Sequence, residues 1–378
     1  MKNIFLLSIV LILSLFVFTG CSNEISADSF YYVIGLGIDK SDNNLLKISI
    51  QISKNSKNSQ GSSSSMSDNY HIYTVEADSI DSGINILNNY LNKRVNLSQC
   101  SAIVFSEEIA KAGISEHITS LANNTQLRHS CKIIVCSSIA SDVLKNVSKA
   151  GETYSARLYD YLTNSADYTG YSIKSTFGKV FKDLNNINNQ ANCIYTLITK
   201  DTVQNYGIAV FKEDIMVGHL NMLNTVAHLI VTNELEHCII SVNSPFKDDD
   251  QIYLDLELFK NTEINVDIIN NSPFINIDIY PKCNINSSGN HFDYTIDDNI
   301  SKVERAVNIY LSNLVKEYLY NISKEYNSDI AGLGVKASSN YLTKEEFDKI
   351  HWDDIFKDSF FVVNTHTLIN SSNLLNKK

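Results

Sequence analysis

The sequence predicts an α+β protein of more than one domain. Mixed β-sheets carry packed helices, and the C-terminal domain is an antiparallel sheet bearing one long helix. Three observations lead there. Segments such as 46–52 (Leu-Lys-Ile-Ser-Ile-Gln-Ile) alternate apolar and polar residues, the period of a half-buried strand. Between such segments the apolar spacing changes to that of a helix, as in Ile80, Ile84, Leu87 and Leu91. The chain has 378 residues, more than one typical core accommodates.

In chain order, residues 31–38 are apolar and β-branched and end in Asp39-Lys40, which reads as a buried strand. Residues 46–52 follow after an Asp-Asn-Asn turn. The serine-rich segment 53–68 has too little apolar surface to offset chain entropy and is expected to be a mobile loop. Residues 70–77 return to the sheet and 79–92 form a helix. A strand at 101–105 precedes a helix at 106–123, with Ser106 as N-cap and Glu107 and Glu108 in its first turn. Strand 131–136 and helix 138–148 complete one parallel crossover. Residues 151–190 are rich in tyrosine and asparagine and read as helical pieces, with a domain junction near 190–202.

The second half restarts with a tight hairpin, 206–211 and 215–218 about Lys212-Glu213-Asp214, and a helix at 223–231. Four strands follow at 238–242, 252–259, 264–269 and 274–281. A helix over 302–326 has Ser301 and Glu304 as a capping box and Val303, Ala306, Val307, Tyr310, Leu314 and Tyr318 as its apolar stripe. Residues 360–368 close the sheet. The expected domains are 30–197 and 198–370, with 371–378 a disordered tail.

The first residues carry a separate message. Lys2, an apolar stretch over 4–18 and Phe18-Thr19-Gly20-Cys21 have the layout of a secretory signal. A cysteine directly after Gly20 makes it similar to a bacterial lipoprotein signal. Cleavage between Gly20 and Cys21 and a diacylglycerol on the Cys21 sulfur are therefore expected, with 1–20 removed and 21–29 a tether. Two acyl chains hold a protein at a membrane for long periods, whereas one does not.

The formal charge of −11 comes with no basic stretch suited to phosphate backbones, which argues against nucleic acid. Six cysteines follow Cys21: Cys100, Cys131, Cys136, Cys193, Cys238 and Cys283. They lie far apart in apolar runs and read as buried free thiols. Cys131 and Cys136 sit five apart on a strand and so face opposite ways. Gly35-Leu36-Gly37 lacks the third glycine and the following helix of a dinucleotide site. Gly332-Leu333-Gly334 likewise is expected to open no helix; both suit bulges or close strand contacts. Glu236-His237-Cys238 alternates across a strand and makes a poor metal site. The acidic clusters Asp248-Asp249-Asp250 and Asp297-Asp298 read as solvated loops. No nucleophile–base set stands out, so no enzyme activity and no cofactor beyond the lipid on Cys21 are expected.

Several landmarks together resemble the Ger(x)C family of spore germination lipoproteins. They are Val33-Ile34-Gly35-Leu36-Gly37-Ile38-Asp39-Lys40, Leu127-Arg128 before a strand, the hairpin with Gly207 and Gly218, and Asp329-Ile330-Ala331-Gly332-Leu333-Gly334 after the long helix. Trp352, the single tryptophan, and Phe356 complete the set. The prolines that the family carries near Trp352 and Phe356 are absent here. The resemblance implies a lipid-anchored, non-catalytic C subunit of a nutrient germinant receptor. It would lie on the outer face of the spore inner membrane, with membrane lipid and the membrane-spanning A and B subunits as partners. A lipid-anchored extracytoplasmic solute-binding protein is the alternative. Its two lobes of alternating helices and parallel strands fit the clustered strands of the second half poorly.

Overall fold

Two sheets, each burying alternate or continuous apolar residues, account for the architecture of the computed structural model. It describes residues 27–53, 70–149, 167–186, 188–199, 203–288 and 296–370. The signal sequence with Gly20 and Cys21, the tether up to residue 26, the serine-rich loop over 54–68, most of the pieces over 151–166 and the tail 371–378 lie outside the described residues.

In the first half, β1 (Phe30–Lys40), β2 (Leu46–Ser53) and β3 (Tyr70–Ala77) form an antiparallel meander. Helix α1 (Ile80–Tyr90) is capped by the Ser79 side chain and leads to β4 (Arg94–Asn96) and β5 (Ala102–Ser106). The helix expected over 106–123 is two, α2 (Glu107–Ala112) and α3 (Ser115–Ala122), because Gly113 turns at φ 115° between them. Strand β6 (Lys132–Cys136), helices α4 (Ala140–Lys149) and α5 (Phe177–Leu184) and strand β7 (Asn192–Ile198) follow. The hairpin β8 (Val203–Lys212) and β9 (Ile215–Asn221) completes a nine-stranded sheet of order β3-β2-β1-β5-β6-β7-β8-β9, with β4 on the start of β1.

Strands β1, β5, β6 and β7 are parallel neighbours, so the sheet makes more parallel crossovers than the single one expected. Every residue of β5 is buried, as strands covered on both faces require. One face packs α1, α2, α3 and α5, and the other packs α4 and the second half of the chain. Cys131 contributes to the first core and Cys136 to the second, the opposition their spacing dictates. All six described cysteines are buried and unpaired. The boundary drawn at residue 197 falls inside β7, one residue before its end, and β7 pairs with β8 beyond it; the first sheet continues across it.

Helix α6 (Met222–Thr232) leads into the second sheet, order β10-β11-β12-β13, with β14 also on β12. Its strands are β10 (Cys238–Asn243), β11 (Gln251–Ile269), β12 (Ser272–Ser288), β13 (Phe360–Thr365) and β14 (Leu368–Asn370). The two strands expected at 252–259 and 264–269 are one: β11 runs through, and its pairing with β12 merely shifts register around Lys260. Asn270 and Asn271, both at positive φ (51° and 64°), make the tight turn to β12. The sheet is not wholly antiparallel. Strands β13 and β14 run parallel to β12, because the intervening chain is a crossover built on the long helix.

That helix, α7, is Asp297–Tyr320 and passes into a π-helical turn at Asn321–Glu325. It starts earlier than the capping box suggested. Asp297 and Asp298 occupy its first turn, where carboxylates meet the positive end of the helix. Ser301 therefore lies inside the helix, and Glu304 accepts the Ile369 N–H at 3.2 Å. Val303, Val307, Leu311, Leu314, Val315, Tyr318 and Leu319 form its buried face. Between α6 and α7 the His228 Nδ1 and the Tyr318 hydroxyl are 2.7 Å apart in the core. Burial lowers the His228 pKa to about 3, so the ring is neutral.

Candidate functional site at the joint between the sheets

The chain leaves the π turn through Asn327 at φ 45° and enters a knot centred on Asp329, which is 1% exposed. One carboxylate oxygen of Asp329 accepts the Leu333 N–H at 3.0 Å. The other accepts the Gly334 N–H at 2.6 Å and the Trp352 indole N–H at 3.0 Å. Gly332 at φ 68° is the N-cap of α8 (Leu333–Ser338), so Gly332-Leu333-Gly334 does open a helix, against expectation. The missing signal was the aspartate three residues upstream, which caps the helix in place of an N-cap side chain. Burial pushes the Asp329 carboxyl up to about 6, against the opposing pull of its three N–H donors.

Trp352 opens the short helix α10 (Trp352–Ile355), which follows α9 (Lys344–Asp348). Its ring packs between Phe347 and Phe356, with centroids 6.2 and 5.7 Å away. A Cβ on Gly334 would lie 2.6 Å from the indole nitrogen, so glycine is what lets the ring reach Asp329. Gly218 similarly makes room for Tyr326, whose ring stands 2.3 Å from the position of an added Cβ. The Tyr326 hydroxyl donates to the His219 carbonyl at 3.0 Å. Gly207, at φ 150°, brings β8 against the Leu220 carbonyl, 2.1 Å from where its Cβ would stand.

The knot fastens the second half of the chain to the first. The Gln190 N–H donates to the Asp329 carbonyl at 3.0 Å, and the Asn192 side chain donates to the Ile330 carbonyl at 3.4 Å. The Gln190 side chain accepts the Glu213 N–H at 2.6 Å and donates to Asp353 at 3.3 Å. The Ser328 hydroxyl donates to the Phe211 carbonyl. Gln190 and Asn192 carry no motif or periodicity, and sequence reasoning passed over them.

Asp39 makes a second buried cap. Its carboxylate accepts the Ala140 and Ser141 N–H groups at 2.6 and 3.0 Å, fixing the start of α4 to the end of β1. Burial raises this carboxyl too, against those two N–H donors. Gly37 lets α4 lie close: its Cβ would be 3.2 Å from Leu144 and 3.4 Å from Ala140. Gly35 sits where the β1–β2 register shifts, the bulge role its sequence suggested.

An apolar opening lies away from Asp329, a cavity of about 530 Å³ lined by Tyr168, Tyr171, Leu223, Ile239, Tyr253 and Tyr310. Among the described residues no three His, Cys, Asp or Glu side chains gather to hold a metal. In Glu236-His237-Cys238 the glutamate pairs with Lys174, the histidine faces Asp255 and the thiol is buried.

The fold and joint define an α+β protein of two linked units with Asp329, Gly334 and Trp352 at their junction. The comparisons identify that class. Residues 24–200 match the spore germination protein N-terminal domain, and 206–373 match the spore germination B3/GerAC-like C-terminal domain. The chain belongs to this Ger(x)C family of spore germination proteins. It is 21% identical over 353 residues to the "Putative spore germination protein YfkR" of Bacillus subtilis (strain 168), covering 90% of this chain and 89% of that one. Its fold is that of the GerBC protein crystal structure, with a TM-score of 0.56 and 16% identity over 89% of this chain and 96% of that chain.

Proposed function

We propose that this protein is a lipid-anchored, non-catalytic C-type subunit of a spore nutrient germinant receptor. Diacylated Cys21 would hold it on the outer face of the spore inner membrane, where it assembles with the membrane-spanning A and B subunits. The observation that carries the reading is the family match across both halves of the chain. Two features support it: Asp329, Gly334 and Trp352 meet at the joint between the two halves, and no helix among the described residues is long and apolar enough to cross a membrane. Tethering on one bilayer raises the local concentration of partners and favours weak lateral contacts.

Co-purification from detergent-solubilised spore membranes tests the assembly, and recovery without any multi-spanning partner counts against it. Mass spectrometry of native material tests the anchor, with an unmodified Cys21 as the contrary result. The aromatic cavity beside Tyr253 gives the solute-binding alternative its one foothold. A thermal-shift screen with amino acids and sugars decides it, since a rise of several degrees with one ligand would favour that reading.

A further inference from the structure

We infer that the end of the first sheet where β1 begins faces the bilayer, presenting Lys93, Arg94 and Arg128 to anionic lipid headgroups. The inference rests on the anchor proposed above for its geometry. Cys21 precedes Ala27 by six positions, a reach of at most about 22 Å fully extended. Whatever surrounds the entry of β1 is thus kept close to the headgroups.

The sheet gathers cations there. Phe30 and Tyr31 pair with Arg94 and Val95 of β4. The Lys93 ammonium stands over the Tyr31 ring at 5.6 Å, and the Tyr31 hydroxyl donates to Asn92 at 2.7 Å. The loop carrying Arg128 lies just past the end of β4, where the Gln126 side chain accepts the Leu97 N–H at 3.1 Å. Arg94 and Arg128 are exposed, and among the described residues no carboxylate pairs with either. Exposed Asp28 is the acid beside the entry. In a chain of net charge −11, the three cations outnumber the two acids of the chain from Cys21 to Phe30, Glu24 and Asp28, so the local sign is reversed.

Two physical effects follow from that placement. A lysine or arginine near an anionic bilayer is attracted within a Debye length, an attraction equivalent to roughly five-fold in affinity for each residue. Tyrosine and phenylalanine rings suit the headgroup region, and Phe30, Tyr31 and the half-exposed Tyr90 lie at this end. A tether alone would leave the body free to rotate, whereas tether and basic face together select one orientation.

The test uses the whole mature chain with Cys21→Ser, so that no lipid obscures the result. It is sedimented with vesicles of phosphatidylcholine, with and without phosphatidylglycerol. The inference predicts binding to the phosphatidylglycerol vesicles only, weakening as salt is raised. Lys93→Gln, Arg94→Gln and Arg128→Gln should each lower affinity roughly five-fold, and Lys93→Glu/Arg94→Glu/Arg128→Glu should abolish binding. Circular dichroism and Trp352 fluorescence confirm that each variant remains folded. No binding to phosphatidylglycerol, equal binding to both vesicle types, or binding indifferent to the three substitutions would overturn the inference. Failure of the anchor shows separately, as an unacylated Cys21 in native material whatever the vesicles report.

Discussion

Asp39 and Asp329 are both buried carboxylates that cap a helix, yet they do different jobs. Asp39 accepts two N–H groups and fixes α4 to β1 within the first sheet. Asp329 accepts three, ties α8 to Trp352, and offers its own backbone carbonyl to Gln190 beside β7. The same chemistry is local in one region and joins two units in the other. A buried carboxylate that stands out in the sequence can therefore mark a mechanical joint.

Substitutions can break this contrast, and the largest effect is expected at the joint. Asp329→Ala leaves three buried N–H groups without an acceptor and should cost about 4 kcal/mol, measured by chemical denaturation. Acid provides a second handle on the same half of the molecule. His228 is held neutral with its pKa lowered to about 3, while the unfolded chain titrates near the ordinary value of 6.5. Between those values the unfolded state binds more protons, so stability is full above pH 6.5 and is lost as pH falls. From there to about pH 4 the His228 contribution to the loss should reach about 3 kcal/mol, opposed by the Asp329 carboxyl, which burial raises to about 6. His228→Gln should gain stability relative to the wild type as pH falls in a pH series of unfolding curves.

Asp39→Ala removes the acceptor of two N–H groups and should cost about 2 kcal/mol. The contrast sharpens if amide exchange then accelerates in α4 while α8 keeps its protection. Trp352→Phe retains a ring between Phe347 and Phe356 but loses one N–H donor. It should cost about 1 kcal/mol, read as a small shift in the denaturation midpoint.

Much of the fold was legible because burial imposes periods. The alternation of residues 46–52, the buried run of β5 and the stripe of α7 all survive in the structure. Termini and strand direction were harder. Asp297 and Asp298 outweighed the Ser301–Glu304 box in setting where α7 begins, and β11 bridged the interruption near Lys260 that looked like a loop. The parallel course of β13 depends on contacts with β12 that are distant in sequence. At the joint, Asp329, Gly334 and Trp352 were visible as landmarks, but their convergence was not. Gln190, Asn192 and Ser328 act through backbone groups whose positions only the assembled sheets define.

Trp352 is the single tryptophan of the chain and sits in the Asp329 knot, so its fluorescence reports the joint alone, while far-UV circular dichroism reports both sheets. Following thermal unfolding of the whole protein by both signals is the most direct test. The wild type should lose both in one coincident transition, and Asp329→Ala should lose the fluorescence signal first, at a lower temperature than the dichroism. Coincident transitions at the wild-type midpoint in Asp329→Ala would contradict the account of Asp329 as the tie between the two units.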